Sequence, residues 1–273
     1  MRTHIGQIVV PLDGSALAAT ALGPARALAA ATGASLRLVT TRWDHDAESP
    51  GGYLEGLAAR IEPERLDTVV ILDRGPVHAI ILEAQRPNTL VCMASHGRGR
   101  VRHAALGSVA ESVLGKSEHP LLLVGPRLET RLSALEPPNL LVAVDGSEIS
   151  ETIIATAADW AQMLGLSVHV VEVVLPPVGL TIPRREEQVA QYVAGLVARL
   201  RTLGVVADGE VLDGAEPADL ILGSAGRLPA TLIAVATHGR TGLARVALGS
   251  TAMRVVHHSP CPVLVARPSR LND

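Results

Sequence analysis

The chain has 273 residues, 48% hydrophobic and 19% charged, a balance that supports a packed core and excludes a disordered chain. With a formal net charge of −3 and aromatics at only 1%, it is ill suited to broad electrostatic capture of nucleic acid or to stacking against single strands. There is no Phe, so the core must be built from Ala, Val, Leu and Ile.

In chain order, short apolar runs bounded by turn residues predict strands at about 6–12, 34–41, 67–73, 89–94 and 120–125. Helical stretches lie between them. One, from Ala16 to Thr32, is rich in Ala and Leu and is followed by Gly33, a natural helix terminator. The segment from Arg127 to Pro138 reads as a linker. Beyond it the pattern starts again, with strands at about 139–144, 167–174, 206–212, 231–236 and 262–267. Strands alternating with helices imply crossover connections and a parallel sheet covered on both faces. Such sheets bind ligands at the carboxyl ends of their strands.

The second half repeats the first. Ile8 to Leu22 resembles Leu140 to Ile154, with Asp13 and Asp145 offset by 132 positions. Val91 to Leu114 resembles Ile233 to Val256, with Gly97 and Gly239 offset by 142. Ten extra residues therefore lie between these anchors in the second copy, and the long helical segment Arg184 to Leu203 is where they are expected. The reading is α/β, with two tandem domains at 1–128 and 138–270.

Two loops per copy fall where a ligand would sit. After the first strand come Asp13-Gly14-Ser15 and Asp145-Gly146-Ser147. The serines are natural N-caps, and the carboxylates suit either the helix N-terminus or hydrogen bonds from a nucleotide's hydroxyls or base amine. After the fourth strand come Ala94-Ser95-His96-Gly97, nine residues, then Gly107-Ser108-Val109; the second copy has Ala236-Thr237-His238-Gly239, nine residues, then Gly249-Ser250-Thr251. Glycine lets backbone approach phosphate closely, and N–H groups at a helix start bind anions. His96 and His238 sit beside the glycine and suit either a ligand contact or a hydrogen bond to backbone. Arg98, Arg100, Arg102 and His103 make the first loop the more basic.

These paired motifs resemble the universal stress protein family, and the resemblance covers nearly all of the chain. It implies five parallel strands per domain in the order 3-2-1-4-5, with helices on both faces. It implies packing of the two copies about a pseudo-two-fold axis through their last strands, with a homodimer of chains open. It implies ATP, with any Mg²⁺ held by the phosphates, and it sets Asp13, Ala94, His96, Gly97, Gly107, Ser108 and Val109, with Asp145, Ala236, His238, Gly239, Gly249, Ser250 and Thr251, around the nucleotide. Backbone near Thr41 and Val173 would face the adenine. The first glycine of the family's phosphate motif is replaced by Ala94 and Ala236, which adds a methyl group at the ligand and adds strain if the backbone there has positive φ.

No Walker A motif, nucleophile elbow or HExxH helix is present in the sequence. The expected function is a nucleotide-dependent signalling or regulatory module rather than an enzyme; a slow ATPase and a structural dimer with degenerate sites remain the alternatives. His257 and His258 lack neighbours at ligand spacing, so no metal is assigned. The N-terminus lacks the apolar stretch of a signal peptide, no run is long enough to span a membrane, and Cys92 and Cys261 lie in apolar runs. A cytoplasmic protein with reduced, buried thiols is expected, with no nucleic-acid or membrane partner.

Overall fold

The computed structural model describes residues 4–41, 49–61, 66–71, 75–98, 106–129, 139–176, 186–228, 232–237 and 248–266. The first unit comprises β1 (Gln7–Pro11), α1 (Ala16–Ala19), α2 (Leu22–Thr32), β2 (Ser35–Thr41), α3 (Pro50–Ala58), β3 (Leu66–Ile71), α4 (Pro76–Ala84), β4 (Thr89–Ala94), α5 (Ser108–Lys116) and β5 (Leu121–Val124). The second comprises β6 (Asn139–Val144), α6 (Glu148–Leu164), β7 (Ser167–Val174), α7 (Glu186–Thr202), β8 (Ala207–Asp213), α8 (Pro217–Arg227), β9 (Leu232–Ala236), α9 (Ser250–His258) and β10 (Val263–Ala266).

All ten strands join one sheet in the order β3-β2-β1-β4-β5-β10-β9-β6-β7-β8. Within each unit the pairing is parallel and the order is the expected 3-2-1-4-5. The two units meet through one antiparallel pair, β5 with β10, in which Leu122 faces Leu264 and Leu121 faces Val265. These residues are 0–1% exposed. Pulling the units apart would uncover part of their apolar surface, at about 25 cal/mol for each Å² exposed. The junction is therefore a piece of continuous core.

Helices cover both faces. One core cluster lies under α2, α3, α6 and α7, with Trp160 its bulkiest fully buried side chain. The other lies under α4, α5, α8 and α9. Both are dominated by Leu, Val, Ile and Ala, and the inner strands are buried on both sides, which is why they read as unbroken apolar runs, whereas the edge strands β3 and β8 are largely half-buried or exposed.

Two differences between the units have local causes. The helix expected over Ala16 to Thr32 is broken into α1 and α2 at Thr20 and Ala21, whereas its counterpart α6 is continuous. Pro24 lies in the first turn of α2. Its ring has no N–H and would collide with the carbonyl of Thr20 in an unbroken helix, so the chain restarts after that residue. The extra length of the second copy is carried by α7, with 17 residues against 9 in α3, as the repeat spacing required.

The first part of the linker packs on the body: Leu128 sits against the core, and the Glu129 N–H donates to the Pro260 carbonyl at 3.0 Å. Residues 130–138 lie outside the described residues. No helix of the described residues is long and apolar enough to cross a membrane.

Cys92 and Cys261 are free thiols, 0% and 1% exposed. Burial pushes Cys92 far above the ordinary thiol range and Cys261 up to about 11, the latter opposed by a hydrogen bond with Ser259. Neither is a thiolate near neutral pH, so neither is a nucleophile in the folded chain. A disulfide reagent at pH 8 should label neither cysteine in the native protein and both after unfolding, as followed by absorbance of the released thiolate. Rapid native labelling of either one would contradict this packing.

Candidate functional site

At the carboxyl end of the first unit's sheet the chain forms a cavity of about 710 Å³. Its floor and walls come from the ends of β1, β2 and β4, from the start of α4 and from the start of α5. Val39, Ile80, Met93 and Leu106 supply apolar surface. Asp13, Ser95, Arg98 and Ser108 supply polar groups. Cavities of this size and mixed lining suit small ligands.

The rim is built by the two loops singled out from the sequence. In the first, Gly14 has φ 83° and Gly146, its counterpart, φ 76°. That turn is open to glycine and strained for other residues. It lets the Asp13 Oδ1 accept from the Ser15 N–H at 3.0 Å and from the Ser15 Oγ at 2.6 Å. Ser15 in turn caps α1 by accepting from the Ala18 N–H at 3.1 Å. The second unit repeats each bond: Ser147 N–H and Oγ donate to Asp145 Oδ1 at 3.0 and 2.6 Å, and Ser147 accepts from the Ser150 N–H at 3.1 Å.

Asp13 also bridges the two loops. Its Oδ2 accepts the Arg98 N–H at 2.8 Å. Gly97 is needed beside it, because a Cβ there would overlap the Asp13 carboxylate. The loop after β4 is anchored on both sides: the Ser95 N–H donates to the Val124 carbonyl, and the Ser95 carbonyl accepts from the Gly107 N–H, both at 2.8 Å. The second unit uses the same device, with Thr237 N–H to the Ala266 carbonyl at 3.0 Å and Gly249 N–H to the Thr237 carbonyl at 2.7 Å.

Gly107 and Gly249 are the N-caps of α5 and α9, and neither helix start has a side-chain cap. The first-turn N–H groups of α5, from Ser108 to Ala110, have no acceptor within the helix and border the cavity. Ser108 and Ser250 are exposed as the first residues of their helices. The arrangement offers a fork of donors with the positive end of a helix dipole behind it, which favours an anion.

All eight residues singled out in the first copy border this one cavity: Asp13, Thr41, Ala94, His96, Gly97, Gly107, Ser108 and Val109. In the second copy, Val173 ends buried in β7, Ala236 closes β9, Asp145 sits in the turn after β6, and Gly249, Ser250 and Thr251 form the start of α9. His238 and Gly239 lie outside the described residues.

The backbone strain considered for the alanine replacements does not arise. Ala94 and Ala236 are ordinary last residues of strands, and Asn88 is the only non-glycine with positive φ among the described residues. Gly107 and Gly249 are equally unstrained, with φ of −61° and −63°. Their requirement is for space, and it differs. A Cβ on Gly107 would lie 3.1 Å from the Ser95 carbonyl oxygen, whereas on Gly249 the nearest described atom, the Thr237 carbonyl oxygen, is 3.6 Å away.

Two features escaped the sequence reading. The α4 wall is held by Glu83, which accepts from buried Arg37 of β2 at 2.6 Å and pairs with Arg86 at 2.9 Å. A buried Arg and Glu carry no local signature that they meet. The second is a contact between the His96 and His257 rings, whose centroids are 5.4 Å apart. It joins the two units and has no motif.

The universal stress protein family profile matches residues 4–125 and 138–267. A universal stress protein of Mycobacterium tuberculosis is 31% identical over 198 residues, covering 69% of this chain and 65% of that relative. One of Mycolicibacterium smegmatis is 28% identical over 197 residues, with the same coverage. These matches span just under two thirds of the relatives' own length. Among solved structures, a universal stress protein from Archaeoglobus fulgidus covers 96% of this chain, and 98% of its own is covered, at 18% identity and a TM-score of 0.67, which is a likeness of fold. Two profile matches account for most of the chain, each on a copy of the same five-strand unit: the chain belongs to the universal stress protein family.

Proposed function

We propose that the first unit binds an adenine nucleotide, with ATP the favoured ligand, and that occupancy sets the state of a regulatory module in a stress response. The observation that carries this reading is the convergence, in one 710 Å³ cavity, of an apolar slot with an uncapped helix start. A nucleotide has the matching halves. Its base is flat and apolar-faced, and fits between the end of β2 and the start of α4, near Thr41. Its phosphates are anionic, and fit the N–H fork of Ser108 to Ala110 and the Gly97 turn. Any Mg²⁺ would ride on the phosphates.

What Asp13 already does supports a reading of binding rather than turnover. Both of its carboxylate oxygens accept hydrogen bonds that hold the two loops together. That is the work of a scaffold carboxylate, and phosphoryl transfer requires a group that positions the attacking nucleophile as well. The second unit, with the same Asp145 turn and the same Gly249 anchor, is read as a second site of the same class.

The test is thermal. A ligand that binds only the folded chain stabilises it by about 2.7 kcal/mol at 100 times its dissociation constant. At roughly 2–4 °C per kcal/mol for a domain of 150–250 residues, saturating ATP-Mg should raise the melting temperature by about 5–10 °C. No shift at millimolar ATP-Mg, with no heat in a calorimetric titration, would remove the nucleotide reading.

A further inference from the structure

We propose that His257, a residue of the second unit, positions the ligand loop of the first site, which is thereby completed across the junction of the two units. The inference rests on the nucleotide reading above and adds to it a brace from a residue that has no imidazole counterpart in the first unit. It starts from a contact between two buried imidazoles. His96 and His257 are each 6% exposed. Their rings meet edge to face, with 5.4 Å between centroids and 72° between planes. The His257 ring also meets that of His258, 5.0 Å away at 76°.

The contact bears on the site through very few atoms. Ser95 Oγ lies 3.0 Å from His96 Nδ1, so the ring is tied to the residue before it. The Ser95 carbonyl accepts the Gly107 N–H, and the His96 Cα is 3.3 Å from where a Cβ on Gly107 would stand. Gly107 is the residue from which α5 begins. A shift of the His96 ring therefore moves the Ser95–His96 backbone, and with it the N–H fork at the start of α5. Edge-to-face ring pairs hold a preferred geometry, which a shapeless apolar contact does not.

The brace comes from the far end of α9, and the near end of that helix, Gly249 to Thr251, belongs to the second site. One nine-residue helix thus reaches from one site to the other. The pseudo-symmetric helix carries no ring at the matching position. In α5 the position corresponding to His257 is Gly115, which has no ring, and the position corresponding to His258 is Lys116. The two helices, alike where they start, end on different side chains.

The experiment uses the full chain and ATP-Mg. Calorimetric titration of His257→Ala in an Asp145→Ala background reads the first site, and in a Gly107→Val background the second. Hydrogen exchange of the Gly107 amide in ligand-free protein reads the loop with no ligand involved. His257→Ala should weaken the first site about tenfold, leave the second unchanged and speed exchange at Gly107. His257→Phe, which keeps a ring edge and face, should restore both readouts. His257→Gln replaces the alanine variant should that one fail to fold. Unchanged Gly107 exchange, equal weakening of both sites, or a phenylalanine variant as impaired as the alanine one would each overturn the proposal. If the unaltered chain takes no ATP, the nucleotide reading falls, and Gly107 exchange alone decides whether His257 positions the loop.

Discussion

Gly125→Ala should lower the melting temperature of the chain by several degrees, an unusually large effect for one added methyl group. Gly125 follows β5, at the seam where the two units join. A Cβ there would overlap the backbone carbonyl of Val256, in the last turn of α9. Backbone cannot swing aside as a side-chain end can, so α9 or the strand end must move. Overpacking a well-filled interior costs about 1–3 kcal/mol, occasionally more, and the displaced helix carries His257 with it. At about 2–4 °C per kcal/mol the loss is easily measured in a thermal scan. The internal control is Gly195→Ala. Gly195 is an exposed residue inside α7 with nothing within 4 Å of a new Cβ among the described residues. There alanine should stabilise by roughly 0.5–1 kcal/mol, because glycine is a poor helix former. The same substitution is thus expected to have opposite signs at two places. A Gly125→Ala chain that melts with the parent would mean that the units do not meet as closely as the Val256 contact requires.

Gly107→Val should abolish nucleotide binding at the first site and reduce a two-site calorimetric isotherm to one. The Cβ alone presses on the Ser95 carbonyl oxygen at 3.1 Å and the His96 Cα at 3.3 Å. The two γ-methyl groups then crowd the mouth of the N–H fork, and the Gly107 N–H to Ser95 bond must lengthen. Gly249→Val is the informative partner. Its first methyl group meets nothing described closer than 3.6 Å, so the loss at the second site should be smaller than at the first. Asp13→Ala should fall between the two. It removes the acceptor of the Arg98 N–H and of Ser15, and a hydrogen bond to a charged group is worth about 1.5–3 kcal/mol, or roughly ten- to a hundredfold in affinity. Circular dichroism establishes that each variant folds. A folded Gly107→Val chain with both sites intact would show that the ligand does not approach α5 at all.

The strands and the tandem repeat were legible in the sequence because buried parallel strands leave continuous apolar runs such as Leu121 to Val124, which no surface segment imitates. The two loops were legible because glycine, serine and aspartate recur at fixed spacing after matching strands. What stayed hidden has two physical origins. Where a helix restarts depends on a single steric fact: Pro24 acts on a carbonyl four residues back, and apolar periodicity does not register it. Contacts such as His96 with His257 and Arg37 with Glu83 are made by strand order and helix placement, and residues far apart in the chain carry no mark of their partner. The difference in room around Gly107 and Gly249 is of the same kind. Two glycines in identical motifs differ only in how near the neighbouring backbone lies.

The antiparallel join of β5 to β10 also bears on how the molecule behaves in dilute solution. The segment from 125 to 138 runs from the end of β5, at the seam, to the start of β6, which lies beyond β10 and β9, so the two halves are held by one covalent tether. A short tether holds its ends at an effective concentration of about millimolar, whatever the amount of protein present. Two separate halves pairing through the same strands would come apart below their dissociation constant and lose the His257 brace as they did. In the fused chain that equilibrium has no concentration term, and the first site stays braced down to a single molecule.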